Sequence, residues 1–231
     1  MIDGPELSAL GDRAWLARFG SDRDAEAWAE AVRRRQWPGV SDVVAAYRSA
    51  AVFADRAADD LEGIEAYLRS EPVPEGSETV GRLVRVPVLY DGEDLAEVAD
   101  RVGLGVREVI DRHAGVEYTV RAIGFLPGFP YLGDLPEPLS GLPRRAPPRT
   151  RVPAGSVAIA GTQTGIYPGE SPGGWHLIGR TPAVIADLER GCFALSTGDR
   201  VRFEPISPDR FEQLRGLRHE RGDASGPDGL S

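Results

Sequence analysis

Apolar positions recur at helical spacing twice in the first seventy residues. In "SDRDAEAWAEAVRRRQ" Ala25, Trp28 and Val32 fall on one face, Ser21 with Asp24 makes a capping-box-like start, and Pro38-Gly39 marks the end. A second helix is predicted in "AADDLEGIEAYLRS", with Leu61, Ile64 and Leu68 in register. Residues 12 to 20 read as a strand, and "SDVVAAYRSAAVFAD" as two short strands around Tyr47 to Ser49. The region is a small α+β unit.

The pattern then breaks. "EPVPEGSET", residues 71 to 79, is polar and rich in proline and glycine, as a linker or long loop would be. Beyond it "RLVRVPVLY" alternates through Val84, Val86 and Val88. Two short helices follow in "DLAEVADRVG" and "GVREVIDRHA", then a strand in "VEYTVRAIGF". From Gly124 the spacing changes to short strands, "SVAIAG", "WHLIG", "PAVIA", "CFALS" and "RVRFEP", separated by Gly/Pro turns, which implies a barrel or sandwich. "SPDRFEQLRGL" reads as a late helix, and "RHERGDASGPDGLS", residues 218 to 231, as a disordered tail. The expected organisation is an N-terminal α+β domain over 1–85, a β-barrel domain over 86–217 and the tail.

The chain has 231 residues, enough for a sizeable core, and 36 acidic against 27 basic residues, a formal net charge of -9. That charge repels polyphosphate and argues against nucleic acid as a partner. No stretch approaches the ~18 apolar residues of a membrane span. The N-terminus lacks the charged start and apolar run of a signal peptide, so a cytoplasmic location is expected. The single cysteine, Cys192, lies in the apolar run "GCFALST" and reads as an inert core thiol.

Several motifs fail on chemistry. "GESPG" satisfies G-x-S-x-G around Ser171, but the next residue is Pro172, which has no N–H for an oxyanion hole. "GLGVRE" at Gly103 to Glu108 is a helix-to-helix turn rather than a dinucleotide fingerprint, and no Walker P-loop occurs. The histidines, His113, His176 and His219, have no metal-ligand spacing, so no metal is expected. His113 ends a helix, where a cation would favour the dipole, and His176 follows "SPGGW". "RRAPPRTR" gathers Arg144, Arg145, Arg149 and Arg151; it is either a solvated loop or a proline-stiffened anion site. "SPGGWHLIG" is either a hairpin with a packed tryptophan or a positive-φ backbone nest beside Trp175.

"GFLPGFPYLG", "PRRAPPRTRVPAGSVAIAGTQTGIYP" and "SPGGWHLIGRTP", with "AAYRSAAVFAD" and "VEYTVRAIGF" upstream, closely resemble the family of the 5-oxoprolinase B subunit. That family also takes in the sporulation-kinase inhibitor KipI and proteins called allophanate hydrolase subunit 1. The resemblance implies an α+β fold whose second domain is a cyclophilin-like β-barrel. It further implies a heteromer with a paralogous C-type subunit and with an A-type subunit, inactive as a lone chain, that uses ATP to open 5-oxoproline to glutamate. Phosphorylating the lactam oxygen would turn an unreactive amide into an electrophile, a step that needs cations and oriented N–H groups. By position the resemblance implies a substrate or anion surface of Phe125, Pro127, Gly128, Tyr131, Arg144, Arg149, Gly155, Gln163, Tyr167, Gly173, Gly174 and Trp175. His113 and His176 are the acid/base candidates nearby. The alternatives are a KipI-like regulator of a sensor histidine kinase and a component of an allophanate or urea amidolyase activity.

Overall fold

The computed structural model describes residues 5–74 and 81–218. The expected tail beyond Arg218 and the middle of the expected linker, 75–80, lie outside the described residues.

The first unit is a four-stranded antiparallel sheet backed by two helices. Along the chain come β1 (Glu6–Ala9), β2 (Ala14–Arg18), α1 (Asp22–Arg35), β3 (Val40–Ala46), β4 (Ser49–Ala54) and α2 (Leu61–Ser70). The spatial order is β1-β2-β4-β3. Ser21 caps α1 as expected, its hydroxyl accepting from the Asp24 N–H at 3.1 Å. Trp28, Val32, Ile64 and Leu68 pack with Trp15, Val43 and Val52 into one core. β1 lies in a segment whose short, irregular alternation gives no strand signal.

The second unit begins with β5 (Leu83–Val88), which crosses the expected boundary at residue 85 and stays in one sheet throughout. After it come α3 (Leu95–Val102), α4 (Val106–Ala114), β6 (Glu117–Ile123), β7 (Pro130–Leu132), β8 (Arg149–Val152), β9 (Ser156–Ala160), β10 (Gln163–Ile166), β11 (Ser171–Gly173), β12 (His176–Arg180), β13 (Ala186–Asp187), β14 (Cys192–Phe193), β15 (Arg200–Pro205) and α5 (Pro208–Gln213). The main sheet has the order β12-β9-β10-β7-β6-β15-β5, antiparallel except for the β15–β5 pair. It curls into a half-barrel whose edges meet where Leu89 and Arg180 exchange two backbone hydrogen bonds of 2.9 Å. At this seam a Cβ on Gly179 would stand 2.7 Å from the Leu89 carbonyl oxygen, and one on Gly92 would stand 2.3 Å from that of Leu177. Glycine is what lets the edges approach.

Alternation along the strands divides the sheet's two faces. Val157, Ile159, Ile166, Ile178, Val120 and Phe203 point into the half-barrel, where α3 and α4 contribute Leu95, Val98 and Val109. Ala158, Ala160 and Leu177 point to the opposite face and join a separate cluster with Phe129, Tyr167 and Trp175. All five residues of β9 are buried, because both faces are covered.

Three expectations need correction. "PAVIA" and "CFALS" form a strand only at Ala186–Asp187 and Cys192–Phe193, a two-residue ribbon outside the main sheet. Cys192 is consequently exposed rather than a core thiol; the buried part of that run is Ala194 and Leu195. His113 is fully buried, so it does not serve α4 as a terminal cation.

Candidate functional site on the outer face of the half-barrel

The outer face is paved with small residues and roofed by aromatics. Ala158, Ala160 and Gly165 leave a shallow bed on β9 and β10, and a Cβ on Gly165 would lie 3.0 Å from the Phe129 ring and 3.1 Å from the Trp175 ring. Phe129 is the hub. It meets Phe125, Tyr131, Tyr167 and Trp175 edge-to-face, with centroids 5.0–5.7 Å apart. Tyr131 also meets Trp175 at 5.9 Å. Phe125 sits at φ 67° and is 61% exposed, an unfavourable conformation and environment for a phenylalanine. Gly128, at φ 82°, completes the same turn against Ala186 and Phe193.

The glycine pair beside Trp175 is used differently from a nest. Neither Gly173 nor Gly174 has positive φ. Gly173 is instead a contact position, since a Cβ there would stand 2.3 Å from the Tyr167 hydroxyl oxygen. Gly174 accepts from the Arg145 N–H at 2.7 Å, which lays the arginine loop alongside. Burial raises the Tyr167 phenol above its usual range, against the opposing pull of the Trp175 N–H, Arg144 and Arg149.

The arginines divide into anchored and available. Arg149 Nη2 lies 2.7 Å from Asp94 Oδ1 and Arg145 Nη1 lies 2.9 Å from the same oxygen, with Glu97 2.7 Å from Arg145. Arg151 pairs with Glu170 at 2.6 Å. Arg144 is exposed and has no ion-pair partner among the described residues, and Arg149 Nη1 is buried without a hydrogen bond. These groups do not make a triphosphate cradle: three of the four guanidiniums are neutralised, and the Gly103–Gly105 turn joins two helices rather than a strand and a helix. Residues fitting the ATP implied by the resemblance are thus not found here.

Both histidines are locked inside. His113 Nδ1 accepts from the Tyr90 hydroxyl at 2.7 Å and its Nε2–H donates to Thr164 Oγ1 at 2.8 Å; Thr164 in turn donates to the Ala158 carbonyl at 3.1 Å. Stacked on Phe203 at 4.6 Å, the imidazole is neutral, its pKa pushed down to about 3 by burial. His176 Nε2 donates to the Pro143 carbonyl at 2.9 Å, and its buried Nδ1 has no partner. Neither ring reaches the outer face.

Gly155 lies elsewhere. Its φ is 81°, a Cβ would stand 2.7 Å from the Thr181 carbonyl oxygen, and with Tyr167, Arg180 and Phe211 it borders an open cleft of ≈ 650 Å³. The outer face therefore brings together Phe125, Pro127, Gly128, Tyr131, Tyr167, Gly173, Gly174, Trp175, Arg144 and Gln163. Tyr47, which no local pattern singles out, belongs to the same surface: the Gln163 side-chain amide donates to its hydroxyl.

Residues 5–195 match the family model described as the carboxyltransferase domain, subdomain C and D. The chain belongs to this family. It is 38% identical over 232 residues to the 5-oxoprolinase B subunit of Bacillus subtilis (strain 168), covering 91% of this chain and 96% of that one. It is 45% identical over 172 residues to the 5-oxoprolinase B subunit of Escherichia coli O157:H7, covering 73% and 76%. The crystal structure of TTHA0988 superposes with a TM-score of 0.76 at 42% identity; it covers 84% of this chain, which spans only 40% of that longer one. The Kluyveromyces lactis urea carboxylase shares the fold at 19% identity and TM-score 0.65, matching 90% of this chain and 22% of its own. No helix among the described residues is long and apolar enough to cross a membrane.

Proposed function

We propose that this carboxyltransferase-family chain is the B component of a heteromeric, ATP-dependent 5-oxoprolinase that opens 5-oxoproline to glutamate. The observation that carries the reading is the end-to-end match to the 5-oxoprolinase B subunit of Bacillus subtilis (strain 168), 91% of one chain on 96% of the other. The chain's part in the reaction is to bind and orient a small, flat, anionic ring. Half-buried Tyr131, backed by the buried Phe129 and Trp175 rings, supplies an apolar edge, and exposed Arg144 supplies a cation for the substrate carboxylate.

The ATP step is assigned to the A and C components, since the arginines here are already neutralised. Among the described residues no group on the outer face offers an unengaged imidazole, which supports inactivity of the chain alone. Exposed apolar side chains support an assembled state: Phe125 and Phe193 belong to turns that meet at Gly128, and Leu188 is on the same ribbon connection. The test is reconstitution. The isolated chain with 5-oxoproline and ATP should release no glutamate, and addition of the A and C components should release glutamate and ADP. Turnover by the isolated chain, or none by the mixture, contradicts the proposal.

A further inference from the structure

The β3–β4 hairpin of the first unit ends in a two-residue turn, Tyr47-Arg48, between the paired Ala46 and Ser49. Tyr47 takes φ 52°, a slot that hairpins of this length fill with glycine, asparagine or aspartate. The turn is held against the second unit by the Tyr47 N–H, which donates to the Arg121 carbonyl at 3.1 Å, and Arg121 is itself tied to Asp22 at 3.5 Å and Asp134 at 2.6 Å. A strained tyrosine, 41% exposed, is thus delivered by one unit onto the site surface of the other.

The direction of its hydrogen bond decides what the pair can recognise. Gln163 Nε2 donates to the Tyr47 hydroxyl oxygen, so the hydroxyl hydrogen is left to donate elsewhere. Gln163 Oε1 has no partner among the described residues. One donor and one acceptor therefore stand side by side on the exposed edge of the aromatic cluster, on the side of Tyr131. A lactam presents the complement: the ring forces its amide to be cis, putting N–H and C=O on one edge. An ordinary trans amide puts them on opposite edges.

Resting on the 5-oxoprolinase reading, we propose that Tyr47 and Gln163 form the lactam-recognition site, with the Tyr47 O–H donating to the ring carbonyl and Gln163 Oε1 accepting from the ring N–H. The first unit then contributes a substrate-contacting residue, and the site is incomplete without it. Loss of either hydrogen bond leaves one amide group of the bound substrate without its protein partner.

The test uses the reconstituted complex with 5-oxoproline and its N-methyl derivative, which lacks the ring N–H. Tyr47→Phe and Gln163→Leu should each lower kcat/KM for 5-oxoproline roughly 10- to 100-fold. Wild type should discriminate against the N-methyl derivative, and Gln163→Leu should lose most of that discrimination. A merely structural role would not change that ratio. If wild type turns over 5-oxoproline while both variants stay within about twofold of it and keep the discrimination, the lactam site is wrong and the reading of function stands. If the wild-type complex does not turn over 5-oxoproline, that reading fails and this assignment with it.

Discussion

Asp94 and Arg149 meet at 2.7 Å across the seam of the half-barrel, joining the start of α3 to β8. The second Asp94 oxygen accepts from the Leu177 N–H at 2.7 Å, so one carboxylate, 3% exposed, ties helix, arginine loop and edge strand together. Removing it leaves the Leu177 N–H unpaired and Arg149 with only the exposed Glu93 at 3.3 Å, while Arg145 keeps Glu97 at 2.7 Å. Asp94→Ala should therefore cost about 3 kcal/mol, or on the order of 6–12 °C of thermal midpoint for a chain of this size. Thermal unfolding of the isolated chain measures this, and an unchanged midpoint would show that the carboxylate is dispensable.

Arg144 is the contrasting case, exposed and without an ion pair among the described residues. Arg144→Ala should leave the midpoint within about 1 °C, in the ordinary range for a surface substitution. In the assembled complex it should raise KM for 5-oxoproline about tenfold through loss of one charge-assisted contact. Steady-state kinetics on the folded variant separates the two effects.

Much of the fold was legible because local signals agreed with it. The Ser21 cap, the Leu61, Ile64, Leu68 stripe and the Val84, Val86, Val88 alternation each specified the element that formed. Residues 192–195 were misread because an apolar run does not say which of its members face inward: Ala194 and Leu195 do, Cys192 and Phe193 do not. The arginine loop was visible, but its neutralisation was not, because Asp94 and Glu97 lie some fifty residues upstream. Tyr47 was legible only as part of a hairpin; its site role depends on docking between units, which periodicity does not encode. Among the anticipated surface residues, Gly155 lines a cleft that Tyr167 shares with the outer face, and the two acid/base candidates, His113 and His176, face inward.

Tyr47 provides a prediction in which stability and activity separate. Replacing it with glycine relieves about 1–2 kcal/mol of left-handed backbone strain and gives up about 1 kcal/mol of hydrogen bond to Gln163. Tyr47→Gly should consequently keep or slightly raise the midpoint while depressing turnover in the complex. A large drop in midpoint would mark the side chain as a structural latch instead.

The buried His113 sets an acid limb. Its folded pKa of about 3 lies below the ordinary value of 6.5, so between those pH values the unfolded chain binds a proton that the folded chain refuses. Stability contributed by this site is full above pH 6.5 and is lost as pH falls, by about 1.4 kcal/mol per unit. Tyr90, Tyr118, Thr164 and Phe203 face the ring and bring no charge to offset this. Urea unfolding followed below pH 6.5 should show a shallower dependence of stability on pH for His113→Gln, by about one proton. Equal slopes would mean that another group governs the limb.

As the proposed B component, this chain should be required for 5-oxoprolinase turnover. The most direct measurement is an omission assay: glutamate and ADP release from 5-oxoproline and ATP, with the A and C components present and this chain added or withheld. Both products should appear together only when the chain is added. Undiminished release of both without it would contradict the claim.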